Sequence, residues 1–419
     1  MPFVSRLPSS MRMLPLIAGL AATGLAHADD PNPYYIGASE TISHESNVFL
    51  TPDGVPSASD TLYTTSLIGG IDQPIGRERL FGNVALRDTR YKQNSVLNNT
   101  GYNATLGLDW ATIDRISGNF TYTGSRTLAQ FNSDGGAVLF TKNIETSQEF
   151  DATARIGVVT RLTGVLNYNY RKLSYSEDIY KFREFDQNAV SLGMNYSTSA
   201  ALLFGVAYRH TEGKYPTFSN NPFDLPANRI YFKDDFKRND IDLTTQWIPT
   251  GASTINARLS FSKQTHDAAA ARDFSGTTGN LAWDWRPTGK LQFVTSLSRD
   301  TGQQSTFYER SQNSTFNATG DNSQVTNALQ IVGKYALSAK VSVNATVRTL
   351  ERSLANSLVN PPSGHDRTTY AILGARWTPL RSVEVGCNVS RERRTSDVLA
   401  LSQPYSSNSF GCYGQLTLQ

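Results

Sequence analysis

The stretch WDWRPTGKLQFVTSLSRD, Trp283 to Asp300, decides the fold. Successive strand side chains face opposite sides, so Trp283, Trp285, Leu291, Phe293 and Leu297 share one face, while Asp284, Gln292, Ser296 and Ser298 share the other. Val294 is the one misfit. Pro287 and Gly289 supply turn chemistry, and Pro287 removes a ladder donor, so the run folds back as a hairpin with large aromatics beside its turn.

The same alternation recurs along the chain. Leu80, Val84 and Leu86 oppose Asn83, Arg87 and Thr89; Leu106, Leu108 and Trp110 oppose Asn103, Thr105 and Asp109. Leu166, Tyr168 and Tyr170 oppose Asn167, Asn169 and Arg171; Ile255, Ala257, Leu259 and Phe261 oppose Asn256, Arg258, Ser260 and Ser262. One apolar, aromatic face and one face of Asn, Ser, Thr and charge is the two-residue signature of a transmembrane β-barrel. A soluble sandwich would use shorter strands of about 5 to 6 residues and turn more often.

Eight short connections alternate with nine longer ones rich in Gly, Pro and Asn, which makes eighteen strands. The expected architecture is an all-β, antiparallel up-and-down outer-membrane barrel with both termini periplasmic, because such barrels have short periplasmic turns and longer external loops. Every tryptophan lies beside a short turn: Trp110, Trp247, Trp283, Trp285 and Trp377, with Tyr196 and Tyr335 in equivalent places. Amphipathic rings prefer the headgroup level, so these seven read as one aromatic girdle. Aromatics filling a soluble core would follow packing instead of turns.

The totals are compatible with a single large barrel. The 419 residues carry a formal charge of only +3, which gives no reason to expect nucleic acid, and charged residues are 18% of the chain, below the roughly 25% of soluble domains. At the N-terminus, Arg6 and Arg12 precede the apolar run Leu14 to Leu25, and Ala26-His27-Ala28 has the small-x-small pattern of a signal-peptidase site. Residues 1–28 are therefore expected to be a secretory signal removed after Ala28, and 29–419 the barrel domain. A membrane anchor fits less well, since the apolar run is too short to span and Asp29-Asp30 follows.

Catalysis is not expected. His44-Glu45 and His266-Asp267 are adjacent pairs, and neighbours on a strand point to opposite faces, so they do not converge on one substrate. No HExxH, CxxC or calcium-loop spacing is present, so neither metal nor cofactor is expected. Cys387 and Cys412 fall on the last two strands and face each other if the hairpin is centred near Leu399-Ala400. An oxidising compartment then favours a disulfide, the alternative being two reduced apolar residues.

Parity turns twelve charged residues inward: Arg87, Arg155, Arg171, Arg209, Arg258, Lys334 and Arg348, against Asp109, Asp151, Asp242, Asp284 and Glu384. Charge lining a pore acts as an electrostatic filter, here for anions or hydroxyl-rich solutes that accept arginine hydrogen bonds. Cross-strand pairing that merely solvates the wall is the other reading.

The segment YYIGASETISHESNVFLTPDG, Tyr34 to Gly54, resembles the opening of the β-barrel porins that accompany exopolysaccharide synthesis, the EpsL-like group. Glu45, Asn47, Val48 and Phe49 hold the places of that group's acidic-Asn-hydrophobic-aromatic motif, with Ser46 departing from it. Tyr208 to Pro216 and Phe236 to Gly251 resemble the same group. The resemblance implies a passive conduit for a secreted polysaccharide, working with a periplasmic polysaccharide-export protein. Outer-membrane lipid and the barrel-assembly machinery are the further partners expected of such a barrel. A general diffusion porin for small solutes and an adhesive barrel acting through its loops are the alternatives. In either channel reading, the loop from Lys214 to Phe236 is expected to fold inward as the constriction.

Overall fold

The hairpin around Pro287 forms as its alternation requires, with Trp285 opposite Phe293 and Thr288 opposite Leu291. In the computed structural model, which describes residues 32–113, 115–131, 141–159, 161–219, 231–301, 323–355, 363–399 and 402–419, it is one of seventeen sequential strand pairings. The expected signal segment lies outside the described residues. The strands are β1 (Tyr34–Glu45), β2 (Asp60–Ile75), β3 (Glu78–Tyr91), β4 (Asn99–Ala111), β5 (Ile116–Leu128), β6 (Ile144–Val159), β7 (Leu162–Tyr175), β8 (Phe185–Ser199) and β9 (Leu202–Ser219). Then follow β10 (Tyr231–Thr250), β11 (Ser253–His266), β12 (Phe274–Thr288), β13 (Leu291–Asp300), β14 (Ser323–Ala336), β15 (Val341–Ala355), β16 (Ser363–Leu380), β17 (Val383–Ser396) and β18 (Tyr405–Leu418).

All eighteen form one antiparallel sheet, each paired with its sequence neighbours. Closure comes from β1, where Ile42 stands opposite Tyr63 of β2 and Cys412 of β18. Each described strand has a partner on both sides, the condition for placing strands in hydrocarbon. No described helix is long and apolar enough to cross a membrane. The described helical segments are 3-10 turns at Ser95–Leu97, Asp178–Arg183 and Ala270–Arg272.

Burial is inverted relative to a soluble protein. Leu67, Leu86, Leu106, Leu192, Val206 and Leu373 are exposed on the outer face, whereas Ser66, Ser260, Thr278, Arg171 and Arg348 are buried toward the interior. This is the arrangement of a barrel spanning a membrane, with an apolar outer wall and a polar interior.

The seven girdle residues lie on the outward-facing parity near the short turns, and all but Trp110 are among the exposed large side chains. Trp283 and Trp285 stack with centroids 5.4 Å apart, and Trp285 stacks on Phe293 at 5.8 Å. Trp110 lies flat over its neighbour strand because residue 118 is glycine. A Cβ there would sit 2.6 Å from the indole and 2.3 Å from the Thr153 carbonyl oxygen. At the β2–β3 turn, Gly76 adopts φ +66, a conformation open to glycine at little cost.

Candidate functional site: the barrel interior

Apolar side chains inside the barrel gather at the long-loop end. Leu173, Tyr175, Phe185, Tyr215 and Phe236 form one cluster, and Arg272 stacks 4.3 Å from the Tyr215 ring. A second cluster joins Val48, Phe49, Leu97 and Phe131, bringing the loops after β1, β3 and β5 together. Its geometry accounts for the Asn47-Val48-Phe49 sequence. Buried Asn47 accepts hydrogen bonds from the Thr51 amide at 2.9 Å and hydroxyl at 3.0 Å, and donates to the Thr51 and Ser406 carbonyls at 3.0 and 3.1 Å. The closed turn drives Val48 and Phe49 inward, and Phe49 meets Phe131 edge-on with centroids 5.1 Å apart.

Phe131 belongs to the segment that matters most for passage. After β5 the chain turns into the interior. Gln130 Nε2 donates to Glu392 Oε1 at 3.2 Å and to the Tyr405 hydroxyl at 3.5 Å. Five strands separate β5 from β17 in the sheet, so these bonds bridge the interior instead of running along the wall. Tyr405 also donates to Glu392, and Arg394 lies 4.7 Å over the Tyr405 ring. Beneath the segment is a cavity of about 410 Å³ whose lining includes Glu45, Arg87, Tyr91, Phe131, Tyr370 and Glu392. The inward segment is thus Ala129–Phe131. Of the Lys214–Phe236 loop expected to constrict the channel, Lys214–Ser219 and Tyr231–Phe236 extend β9 and β10, and 220–230 lie outside the described residues.

All twelve charged residues assigned to the interior lie on the inward parity. Their environments divide them. Arg209 is paired with Asp240 at 3.3 Å and Asp242 at 3.2 Å, and Asp151 accepts from Asn167 at 3.1 Å. Near the short turns, Asp284 accepts from Gln292 at 3.0 Å, Glu384 accepts from Tyr413 at 2.6 Å and lies 3.5 Å from Arg376, and Asp109 lies 3.9 Å from Arg79. Arg171 stacks 5.3 Å over Phe185. Arg155 and Lys334 are exposed near the short-turn end, while Arg348 is buried and Arg258 partly buried deeper within their strands. Arg87 lines the cavity.

Sequence reading missed the densest networks. Arg238 donates to Asp240 at 2.9 Å, Thr301 at 2.9 Å, and Ser262 and Thr278 at 3.0 Å, tying β10 through β13 together. Two strands beyond β13, Arg352 of β15 holds Asp366 of β16 through two bonds, and Ser402 donates to the same carboxylate at 2.6 Å. Parity would have found Arg238 and Asp240, which alternate with the outward Ile241, but both stand close to the expected loop.

His266 is held by residues other than its sequence neighbour. Buried His266 contacts Asp234 through Nδ1 at 2.7 Å and Gln264 through Nε2 at 2.7 Å, so both ring nitrogens are engaged, and its acidic partner is not the adjacent Asp267. No cluster of metal-ligating side chains occurs among the described residues. Cys387 and Cys412 are register partners with Cα atoms 4.0 Å apart, and the structure joins them as a disulfide across β17 and β18.

Fold and interior together define a closed eighteen-stranded barrel with a polar, partly bridged interior. Among solved structures, the chain resembles the outer membrane protein OpdK from Pseudomonas aeruginosa at 13% identity, covering 92% of this chain and 99% of that one, with a TM-score of 0.47. OccK2 (OpdF) of the same organism matches at 11% identity over 92% and 97%, with a TM-score of 0.47. A BenF-like porin from Pseudomonas fluorescens Pf-5 matches at 11% identity over 92% and 98%, with a TM-score of 0.46. No family model and no curated protein matches the chain, so the EpsL-like resemblance gains no support from them.

Proposed function

We propose that the protein is an outer-membrane channel through which small polar solutes diffuse without a catalytic step. Its long loops face outward, both termini are periplasmic, and the segment before residue 29 is removed on export. The observation that carries this reading is the Gln130 bridge inside a barrel whose outer wall is apolar. The bridge ties β5's end to β17 and β18, and the cavity that Gln130 and Glu392 help line, about 410 Å³, falls in the range of small-molecule sites. A side-chain tie across the interior favours a diffusion porin over the polysaccharide conduit implied by the EpsL-like resemblance, with its periplasmic export protein.

The interior arginines set the selectivity of this channel. Arg87, Arg258 and Arg348 lie within the body of the wall, and a guanidinium attracts anions and hydroxyl-rich solutes alike. Proteoliposome swelling tests the main claim. Monosaccharides should enter fastest, disaccharides more slowly, and long oligosaccharides not at all. Entry independent of size, or loss of polymer secretion in a deletion strain, would favour the conduit instead.

A further inference from the structure

On the outer face of β16, β17 and β18, charge begins where the apolar wall ends. Leu373, Val389 and Phe410 are exposed register partners. Two residues nearer the long loops the row is Ala371, Arg391 and Asn408, and the next is Thr369, Arg393 and Ser406. Arg367 stands opposite Thr395, diagonal to Arg393. Arg391, Arg393 and Asn408 are all exposed.

The nearby carboxylates are engaged with other groups. Glu351 pairs with Arg367 at 3.3 Å, Asp397 lies 3.8 Å from His365, and Asp53 accepts from Ser406 at 3.3 Å. Among the described residues, neither Arg391 nor Arg393 has a carboxylate within ion-pairing distance. Two guanidiniums two residues apart on a strand stand about 7 Å from each other, a spacing that lets both reach one phosphate group. Small Ala371 leaves room beside Arg391, and Asn408 adds an amide on its other side. The cluster also starts only about 7 Å along the strand from the outermost apolar row.

We infer that this face holds the phosphorylated headgroup of a lipid A-type glycolipid, with its acyl chains lying against Leu373, Val389 and Phe410. The charge complementarity and the position at the apolar edge both call for an anionic lipid head. The inference rests on the proposed outward orientation of the long loops, which a separate measurement checks. Ser57→Cys, in the exposed loop after β1, should be labelled on whole cells by an impermeant maleimide, and failure there would reject the orientation.

The binding test uses the purified full barrel in detergent and native mass spectrometry with added lipid A, phosphate-free lipid A or phosphatidylglycerol. Wild type should retain lipid A and not the phosphate-free form. The Arg391→Ala/Arg393→Ala double variant should lose at least about tenfold in occupancy while keeping the heat-modifiable mobility of a folded barrel. The double lysine variant should retain part of the binding, because it keeps charge without the planar fork. Equal retention by wild type and the alanine variant would overturn the site. Phosphatidylglycerol held as well as lipid A would overturn the glycolipid assignment.

Discussion

Arg238 shows most directly how a charged side chain is kept inside this barrel. It is 1% exposed, yet it bonds Asp240, Ser262, Thr278 and Thr301 and lies 3.4 Å from Asp300. Removing it takes the guanidinium from Asp300 and leaves Asp240 to Arg209 alone, so Arg238→Ala should cost about 3 kcal/mol, read as a lower urea midpoint for the reconstituted barrel. A wild-type midpoint would show that the network contributes nothing. At Asn47 the expected loss is smaller. Asn47→Ala leaves the Thr51 amide without its acceptor and should cost about 1–3 kcal/mol while loosening the Phe49–Phe131 contact. Parity made Arg209 and Asp242 legible from sequence, because alternation fixes a face without knowledge of neighbours. It did not reveal which charges pair, since that depends on register between strands far apart in the chain. Arg238 and Asp240 escaped because β9 and β10 continue into a stretch whose Pro, Asn and Gly content reads as loop.

At the scale of elements, the short turns were legible because Pro, Gly and a preceding aromatic mark them locally. The girdle should be visible in solution. Tryptophan fluorescence in bilayers should be quenched more by lipids brominated near the headgroup than by those brominated near the chain ends, and the reverse would reject the belt. The path of the segment after β5 was not legible. An inward loop has no periodicity, and its anchors, Glu392 and Tyr405, lie 262 and 275 residues away from Gln130. The final hairpin is the opposite case, since counting outward from its centre places Cys387 opposite Cys412. Non-reducing mass spectrometry should find the two linked, and two free thiols would reject the bridge.

For the whole molecule, eighteen alternating runs were enough to require a closed barrel, because only closure satisfies every backbone group in hydrocarbon. Whether solutes pass depends on the interior, where selectivity and aperture can be tested separately. Replacing Arg87, Arg258 and Arg348 with Ala should shift the reversal potential toward cations, and no shift would leave those arginines as wall solvation only. The most direct test of the central claim is single-channel recording of the purified barrel in a planar bilayer, comparing wild type with Gln130→Ala. A small-solute pore narrowed by the Ala129–Phe131 segment predicts discrete conductance steps that grow larger when the tie to Glu392 and Tyr405 is cut. A folded barrel that inserts yet passes no current, in either form, would contradict it.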